Sequence, residues 1–293
     1  MMNDQAASLR EKMNKLSHTV SEAEVIGVFS GKGGVGKSVF SVNFSIALSQ
    51  LKKRVLIVDL DIGMGNIEQL VNHPAHCHIA DWIKGRLPLN RVIEEGPGHV
   101  AFISGGSGLQ ELFRLDEENL HFFLEQMKLI KNSYDYIIFD FGAGITSDTL
   151  QFVLAVHRLI LITTPEPTAM ADGYSALKMI CSKNAGIPLA CVVNQVSKAG
   201  EGKETWERLS SVCRRFIGAD VKWLMALHGD PSVIRSVRAQ VPCLLLYPGT
   251  RFSIEMRLLA RSFIAGENAS PGIPVFSSFL NKVRAYFKLS GGD

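Results

Sequence analysis

The stretch that decides the fold is VIGVFSGKGGVGKSVF, from Val25 to Phe40. It opens as an apolar strand, passes through a glycine-rich turn and continues as a helical pattern. Gly31, Gly36, Lys37 and Ser38 fit the phosphate-loop spacing G-x-x-x-x-G-K-[ST], and the flanking strand and helix are the context in which this motif is credible. Such a loop surrounds phosphate oxygens with backbone N–H groups at the positive end of a helix dipole. We therefore expect a nucleotide site at Gly31, Lys32, Gly33, Gly34, Val35, Gly36, Lys37, Ser38 and Val39.

The loop contains one lysine more than this chemistry needs. Lys37 occupies the place from which a lysine reaches the β- and γ-phosphates, and the Ser38 hydroxyl is expected to bind Mg²⁺. Lys32 lies near the start of the loop and has no role in the general motif.

Three aspartates follow strands that we expect beside this loop. Asp59 and Asp61 lie in VLIVDLDIGMGN, and Asp140 ends the apolar run in YDYIIFDFGAG. Open α/β sheets place ligands at the carboxyl ends of their strands. We therefore predict that Ser38, Asp59 and Asp140 hold Mg²⁺, with Asp140 as the Walker B acid.

The remaining pattern predicts an α/β fold with a mostly parallel, doubly wound sheet and helices on both faces. Short runs without polar alternation are typical of strands that are covered on both sides. Helical stretches such as 116–131 and 168–184 separate them. The predicted strands are Val25–Ser30, Val55–Leu60, Val100–Ser104, Tyr136–Phe141, Leu159–Thr163, Leu189–Val193 and Lys222–Ala226.

Composition places few further limits on function. The chain has 293 residues, a net charge of +3 and five scattered cysteines. The odd, irregular cysteines argue against a disulfide framework and favour a reducing compartment. The first residues lack the apolar core of a signal peptide, and no apolar run is long enough to span a bilayer. We expect a cytoplasmic protein that is able to touch a membrane surface.

The two ends of the chain differ from the middle. Residues 1–22 are polar and helix-prone, and GENASPGIP at 266–274 is rich in turn residues and predicts a linker. Between them, residues 23–265 are expected to form one domain.

Residues 275–290 predict a short basic amphipathic helix, the composition of an interfacial membrane anchor. Periodicity alone does not distinguish such an anchor from a terminal helix that docks on its own domain. The predicted membrane-facing residues are Phe276, Phe279, Leu280, Val283 and Phe287, with the basic Lys282, Arg284 and Lys288.

The three motifs GKGGVGKS, DLDIGMGN and DFGAG, in this order, resemble the deviant Walker A ATPases of the MinD/ParA family over most of residues 24–265. The resemblance implies that Lys32 crosses an ATP-dependent dimer interface to the partner's phosphates. It implies that Lys37 and Asp61 act with Lys32 in catalysis, Asp61 by orienting the attacking water, and that Asn194 in CVVNQV contacts the base. The chain departs from the MinD pattern at Gly142, where MinD has proline.

Within that family, several branches are possible. Iron-protein relatives need paired cysteines, and no cysteine follows Asp140 closely. A DNA-partition ATPase remains an alternative, as does a MinD-like regulator of the division site. Surface arginines are more often solvated than bound to DNA, and no aromatic residues are interleaved with them, so we expect no DNA. The arginines in question are Arg208, Arg214, Arg215, Arg235 and Arg238.

The N-terminal stretch DQAASLR, from Asp4 to Arg10, resembles the activator motif of the FlhG (YlxH/FleN) flagellar regulators. This resemblance implies a switch that controls flagellar number and placement, with ATP and Mg²⁺ as ligands. It also implies an ATP-dependent homodimer at the cytoplasmic face of the cell membrane. The implied partners are the signal-recognition-type GTPase FlhF and the flagellar switch (C-ring) proteins. The implied contacts with FlhF are Asp4, Gln5, Ala6, Leu9 and Arg10.

The run HPAHCH, from His73 to His78, contains three histidines and a cysteine. Its last three residues are adjacent in sequence and awkward to arrange around one ion, so we do not predict a metal site there.

Overall fold

The computed structural model describes residues 22–61, 66–106, 116–267 and 276–290. Within these residues, eight strands form one sheet. The strands are β1 (Glu24–Ser30), β2 (Val55–Leu60), β3 (Glu94–Gly96), β4 (Val100–Ile103), β5 (Tyr136–Ala143), β6 (Arg158–Thr163), β7 (Leu189–Val196) and β8 (Val221–His228).

The helices alternate with these strands, as the sequence pattern predicts. They are α1 (Lys37–Gln50), α2 (Asn66–Val71), α3 (Ile79–Gly85), α4 (Glu117–Leu129), α5 (Ser147–Ala155), α6 (Pro167–Lys183), α7 (Glu201–Ile217), α8 (Pro231–Arg238), α9 (Cys243–Leu246), α10 (Arg251–Glu267) and α11 (Phe276–Ser290).

The strand order is β3-β4-β2-β5-β1-β6-β7-β8, and every neighbouring pair is parallel except β3 and β4. The predicted α/β fold with a mostly parallel sheet is therefore confirmed. β1 lies between β5 and β6, so the loop that follows it opens at the centre of the sheet, beside the ends of β2 and β5.

Sequence patterns located the long strands within a few residues and missed β3. The bounds of β2 match the prediction, whereas β7 and β8 extend by two or three residues past their predicted ends. β3 has three residues, Glu94, Glu95 and Gly96, none of them buried. An edge strand this short and polar has no apolar signal to detect.

The sheet separates two apolar cores because successive side chains of a strand point to opposite faces. Ile26 and Val28 of β1 pack in the core that holds α1 and α10. Val25 and Phe29 of the same strand pack in the opposite core, with α4, α5, α6, α7 and α11.

The last strand, β8, is bound by side chains at both of its ends. The Trp206 indole N–H donates to the Val221 carbonyl at 2.8 Å, and the Glu255 carboxylate accepts from the His228 N–H at 2.9 Å. The pairing with β7 also shifts between Trp223 and Met225, which makes a bulge at Leu224.

The C-terminal helix α11 is docked on its own domain. Phe276, Phe279 and Val283 are completely buried in the core formed with α4 and α5. The predicted linker is also partly helical, because α10 continues through Glu267. Residues 268–275 lie outside the described part of the chain. Among the described helices, none has the length and apolarity needed to cross a bilayer.

Candidate nucleotide-binding site

The phosphate-type loop lies between β1 and α1, at the centre of the sheet. Gly34 and Gly36 adopt positive φ angles of 81° and 88°, which favour glycine. At Gly36 a β-carbon would also lie 2.5 Å from the Asn194 amide nitrogen. Space and backbone angle therefore both require glycine at this point.

Gly31 serves a different purpose, which is close packing. A β-carbon at this position would lie 2.1 to 2.4 Å from the backbone of Asp172 and Gly173 in α6. The start of the loop is therefore pressed against α6, and any side chain here would separate the two.

Lys37 is almost fully buried among acidic groups. Its Nζ lies 3.0 Å from Asp140 Oδ2 and 3.8 Å from Asp61 Oδ2, and it donates to Ser38 Oγ at 3.1 Å. Lys37, Ser38, Asp61 and Asp140, four of the residues predicted for phosphate binding, magnesium binding and catalysis, therefore meet at the ends of β2 and β5.

Asp59 is fully buried and holds the backbone on both sides of residues 62–65. Its two oxygens accept from the N–H of Asp61 at 3.0 Å and from the N–H of Ile67 at 3.2 Å. Burial, and secondarily the neighbouring Asp140 carboxylate, raises the pKa of Asp59 to about 7. Asp59 therefore fixes the position of Asp61, a role that the sequence analysis did not assign. Its predicted magnesium contact stays a prediction.

Ser41 is a further residue of the site that the sequence analysis missed. It is completely buried on α1, and its hydroxyl donates to Asp140 Oδ1 at 2.7 Å. Lys37 contacts the other oxygen, so the Asp140 carboxylate is held in one orientation. The available signal was a buried-type position filled by serine, one turn beyond the loop.

Gly142 lies against Asp61. A β-carbon at this position would lie 3.0 Å from Asp61 Oδ1, and the next glycine along the loop, Gly144, has a φ of 77°. Glycine at this position, where the MinD pattern has proline, therefore leaves room for the Asp61 carboxylate beside the end of β5.

The extra lysine, Lys32, points away from the buried cluster. Its Nζ donates to Glu166 at 3.0 Å and to Thr168 at 3.1 Å, at the start of α6. The side chains of Lys32 and Glu166 are 41% and 62% exposed, so water competes for this pair. Lys32 is thus held on its own chain by a weak contact at the protein surface.

Asn194 and Gln195, from β7, support the loop from behind. The Asn194 amide donates to the Val35 carbonyl at 2.8 Å, and the Gln195 amide donates to the Gly34 carbonyl at 3.2 Å. In this structure the Asn194 N–H is therefore directed at the loop, and its contact with a base stays a prediction.

The loop borders a cleft of about 410 Å³. The sequence analysis missed the far wall, because these residues come from helices distant in sequence and belong to no motif. They are Gln69 and Leu70 of α2, and Val237 and Gln240 at the end of α8.

The groups at this cleft suit a magnesium nucleotide. Glycine N–H groups and Lys37 provide donors for phosphate oxygens, and Ser38 and Asp140 provide oxygen ligands of the kind that Mg²⁺ takes. The carboxylates of Asp61 and Asp140 beside the single Lys37 also leave an excess of negative charge that a divalent cation would offset.

The other predicted residues lie elsewhere. The activator residues 4–10 are outside the described part of the chain. The five apolar residues of the predicted membrane helix are on the buried face of α11: Phe276, Phe279, Leu280, Val283 and Phe287. Of its basic residues, Arg284 is exposed and Lys282 is half-buried, and the side chain of Lys288 is not described.

The histidines of this run lie against acidic side chains. His73 and His76 face Glu94, and His78 lies between Glu68 and Asp81. Among the residues that the structure describes, no group of three or more histidine, cysteine, aspartate or glutamate side chains is arranged to hold a metal ion.

Comparison with known families decides the membership of this chain. The family model described as ParA, "NUBPL iron-transfer P-loop NTPase", matches residues 21–208. The chain belongs to the ParA family. It is 29% identical to the antiactivator FleN of Pseudomonas aeruginosa, over 81% of this chain and 85% of that protein. It is 32% identical to the flagellum site-determining protein YlxH of Helicobacter pylori, over 86% of this chain and 87% of that protein.

The fold has close counterparts among solved structures of the same family. The septum site-determining protein MinD of Pyrococcus horikoshii, complexed with Mg-ADP, superposes with a TM-score of 0.68 and 24% identity. The match covers 85% of this chain and 99% of that protein. The predicted MinD/ParA resemblance is thus confirmed, and the protein is a P-loop NTPase of the ATPase type.

A pH test follows from the raised pKa of Asp59. Below pH 3.8, its usual value, the carboxyl is neutral in folded and unfolded chains alike; above that, the folded state retains the proton up to about pH 7. The stability of the nucleotide-free protein should therefore fall as pH rises, by about 2–3 kcal/mol between pH 5 and pH 8. Asp59→Asn should flatten the profile, measured by thermal unfolding from pH 5 to pH 8. Asp116→Asn, at an exposed helix cap, serves as the control. An unchanged slope in Asp59→Asn would assign the effect to another group.

Proposed function

We propose that this protein is an ATP-dependent dimerising switch that controls the number and placement of flagella. Two similar proteins have flagellar or antiactivator names, FleN and YlxH, and the activator motif at 4–10 supports the same assignment. The observation that carries the switch is the placement of Lys32. Lys37 already fills the buried lysine position, whereas Lys32 lies outside the cluster in a weak surface contact and is free to change partner.

Hydrolysis requires an oriented water and a stabilised phosphate. Lys37 would contact the β- and γ-phosphates, and Asp61, 3.8 Å from Lys37, would orient the attacking water. Ser38 and Asp140 would hold Mg²⁺, which neutralises charge on the phosphate oxygens when bound. Ser41 and Asp59 position Asp140 and Asp61, respectively, through direct hydrogen bonds.

Lys32 is proposed to act across the dimer. To reach the ATP of a second subunit it must leave Glu166 and Thr168, and an exposed ion pair of this kind is worth no more than about 1 kcal/mol. A charge-assisted hydrogen bond to phosphate, shielded from water by the partner, is stronger. ATP therefore favours the exchange, and ADP, which lacks the γ-phosphate, favours it less.

The dimer test uses Asp61→Ala as a background, because this variant should bind ATP without hydrolysing it. Light scattering with ATP should then show a stable dimer. Adding Lys32→Ala should weaken the dimer at least tenfold. Adding Glu166→Gln should strengthen it by about two- to fivefold, because the competing contact is lost. An equally strong dimer with Lys32→Ala would confine this lysine to its own subunit.

Membrane attachment is proposed to use α11 after it leaves its dock. Undocking exposes five large apolar side chains, each worth roughly 1.5–3 kcal/mol on burial. A bilayer surface restores that burial for the helix, and each basic residue adds about 1 kcal/mol near anionic lipid. The groove stays uncovered, however, so one copy should attach weakly. Two helices held together in a dimer gain avidity.

The membrane test is flotation with anionic vesicles. Wild-type protein should float with a non-hydrolysed ATP analogue and remain largely at the bottom with ADP. Lys32→Ala should reduce flotation in parallel with dimerisation. Equal flotation with ADP and with the analogue would exclude control by avidity. If the protein does not float at all, α11 is a structural helix only.

The N-terminal segment is proposed to activate the flagellar GTPase. The motif residues 4–10 precede the described part of the chain, which begins at Glu22, and the first strand begins at Glu24. Gln5→Ala, or deletion of residues 1–20, should leave ATP binding intact and abolish stimulation of FlhF. Phosphate release by FlhF is the measurement, and a peptide of residues 1–20 is the positive control. Full stimulation by the truncated protein would contradict the assignment.

A further inference from the structure

The apolar side chains of α11 are buried in a groove lined by residues of β5, α4 and α5. Phe279 packs 5.4 Å from Phe139 of β5, between ring centroids, and Phe287 packs 5.3 Å from Phe152 of α5. Phe152 also contacts Phe123 of α4. If α11 leaves, these rings lose their cover and face water, a state that soluble proteins avoid.

The N-terminal part of the chain ends at the mouth of this groove. Glu22 accepts the Ser277 N–H at 3.0 Å, at the first turn of α11, and its other oxygen pairs with Lys131 Nζ at 3.2 Å. The Ser278 hydroxyl, one residue later, contacts His157 at 3.1 Å. Residues 1–21 therefore join the described chain within contact distance of the helix that fills the groove.

The sequence before Glu22 has the pattern of a second groove-binding helix. Its apolar residues follow the spacing 3, 4, 3, 4, which places them on one face of a helix. Residues 6–20 number fifteen, the same as α11, or about 22 Å of helix. The apolar face consists of Ala6, Leu9, Met13, Leu16 and Val20.

We propose that residues 6–20 take the place of α11 in the groove when α11 leaves it. The proposal rests on the proposed release of α11 and names what covers the uncovered rings. The occupant is the protein's own N-terminal segment, because it has the matching length and pattern and is attached at the mouth.

Direction and charge at the mouth fit this exchange. α11 begins beside Glu22, and a carboxylate favours the N-terminus of a helix. A helix of residues 6–20 would end there, and its C-terminus would meet Lys131, because cations favour helix C-termini. The two helices would therefore run in opposite directions. The N-terminus of α11 would lie beside Glu22, and the C-terminus of the N-terminal helix would lie beside Lys131.

The two occupants are not equal. α11 brings three phenylalanines to the groove, whereas residues 6–20 bring alanine, valine, methionine and two leucines. Because α11 buries the larger apolar area, it binds the groove more strongly than residues 6–20 do. The N-terminal segment therefore binds the groove only when α11 is bound elsewhere, as at a membrane surface.

The exchange would make the two end functions mutually exclusive. Ala6 and Leu9 belong both to the activator motif and to the apolar face. When they lie in the groove they are withdrawn from the GTPase. Protein attached through α11 would therefore stimulate the GTPase less than protein with α11 docked.

The test uses the full chain without membranes. Phe279→Glu places a charge in the groove and should release α11. Amide exchange of residues 276–287 should then accelerate at least tenfold, and exchange of residues 6–20 should slow at least tenfold relative to wild type. Ala285→Glu, on the exposed face of α11, should change neither. Adding Leu16→Glu to Phe279→Glu should abolish the slowing at 6–20.

Failure is distinguishable from misfolding and from failure of the proposed function. Nucleotide binding shows whether Phe279→Glu is folded, and Phe287→Ser, at the less buried end of the groove, is the milder second variant. Rapid exchange of residues 6–20 in a folded variant with released α11 overturns the proposal. If residues 6–20 are protected in the variant but wild-type protein never floats with vesicles, the replacement of α11 by residues 6–20 is supported and the proposed membrane attachment is contradicted.

Discussion

The ion pair between Lys37 and Asp140 is the constraint on which the site depends. It places a positive charge in a buried position at the carboxyl ends of β2 and β5, where only paired charges are tolerated. Ser41 holds the second oxygen of Asp140, and Asp59 holds the backbone that carries Asp61. Lys37, Asp140 and Asp61 are therefore each held by a contact within the fold.

The sequence allowed much of this to be predicted, because strong periodicity and a gap-free loop motif are local signals. The parallel sheet, the loop and the position of Asp140 all followed from such signals. Gln69 and Gln240 could not be found in that way, since they reach the cleft through tertiary packing of helices distant in sequence. The role of Asp59 in holding the backbone also escaped prediction, because it depends on a hydrogen bond from the N–H of Ile67, eight residues further along the chain.

The C-terminal helix shows the limit of periodicity most clearly. An apolar stripe specifies that something must cover it, and it does not specify whether the cover is lipid or protein. In this structure Phe139 and Phe152 provide the cover. A single stripe can thus serve two environments in turn, provided that the energies of the two are close.

The capped strand at the end of the sheet bears on how copies of this protein assemble. An open edge strand invites another chain to add to it, and such growth has no natural stop. Trp206 and Glu255 bind backbone groups at the two ends of β8, and the bulge at Leu224 interrupts its middle. Addition of a further strand along this side of the sheet is thereby disfavoured, so the contacts at β8 limit one route by which copies of the chain could aggregate.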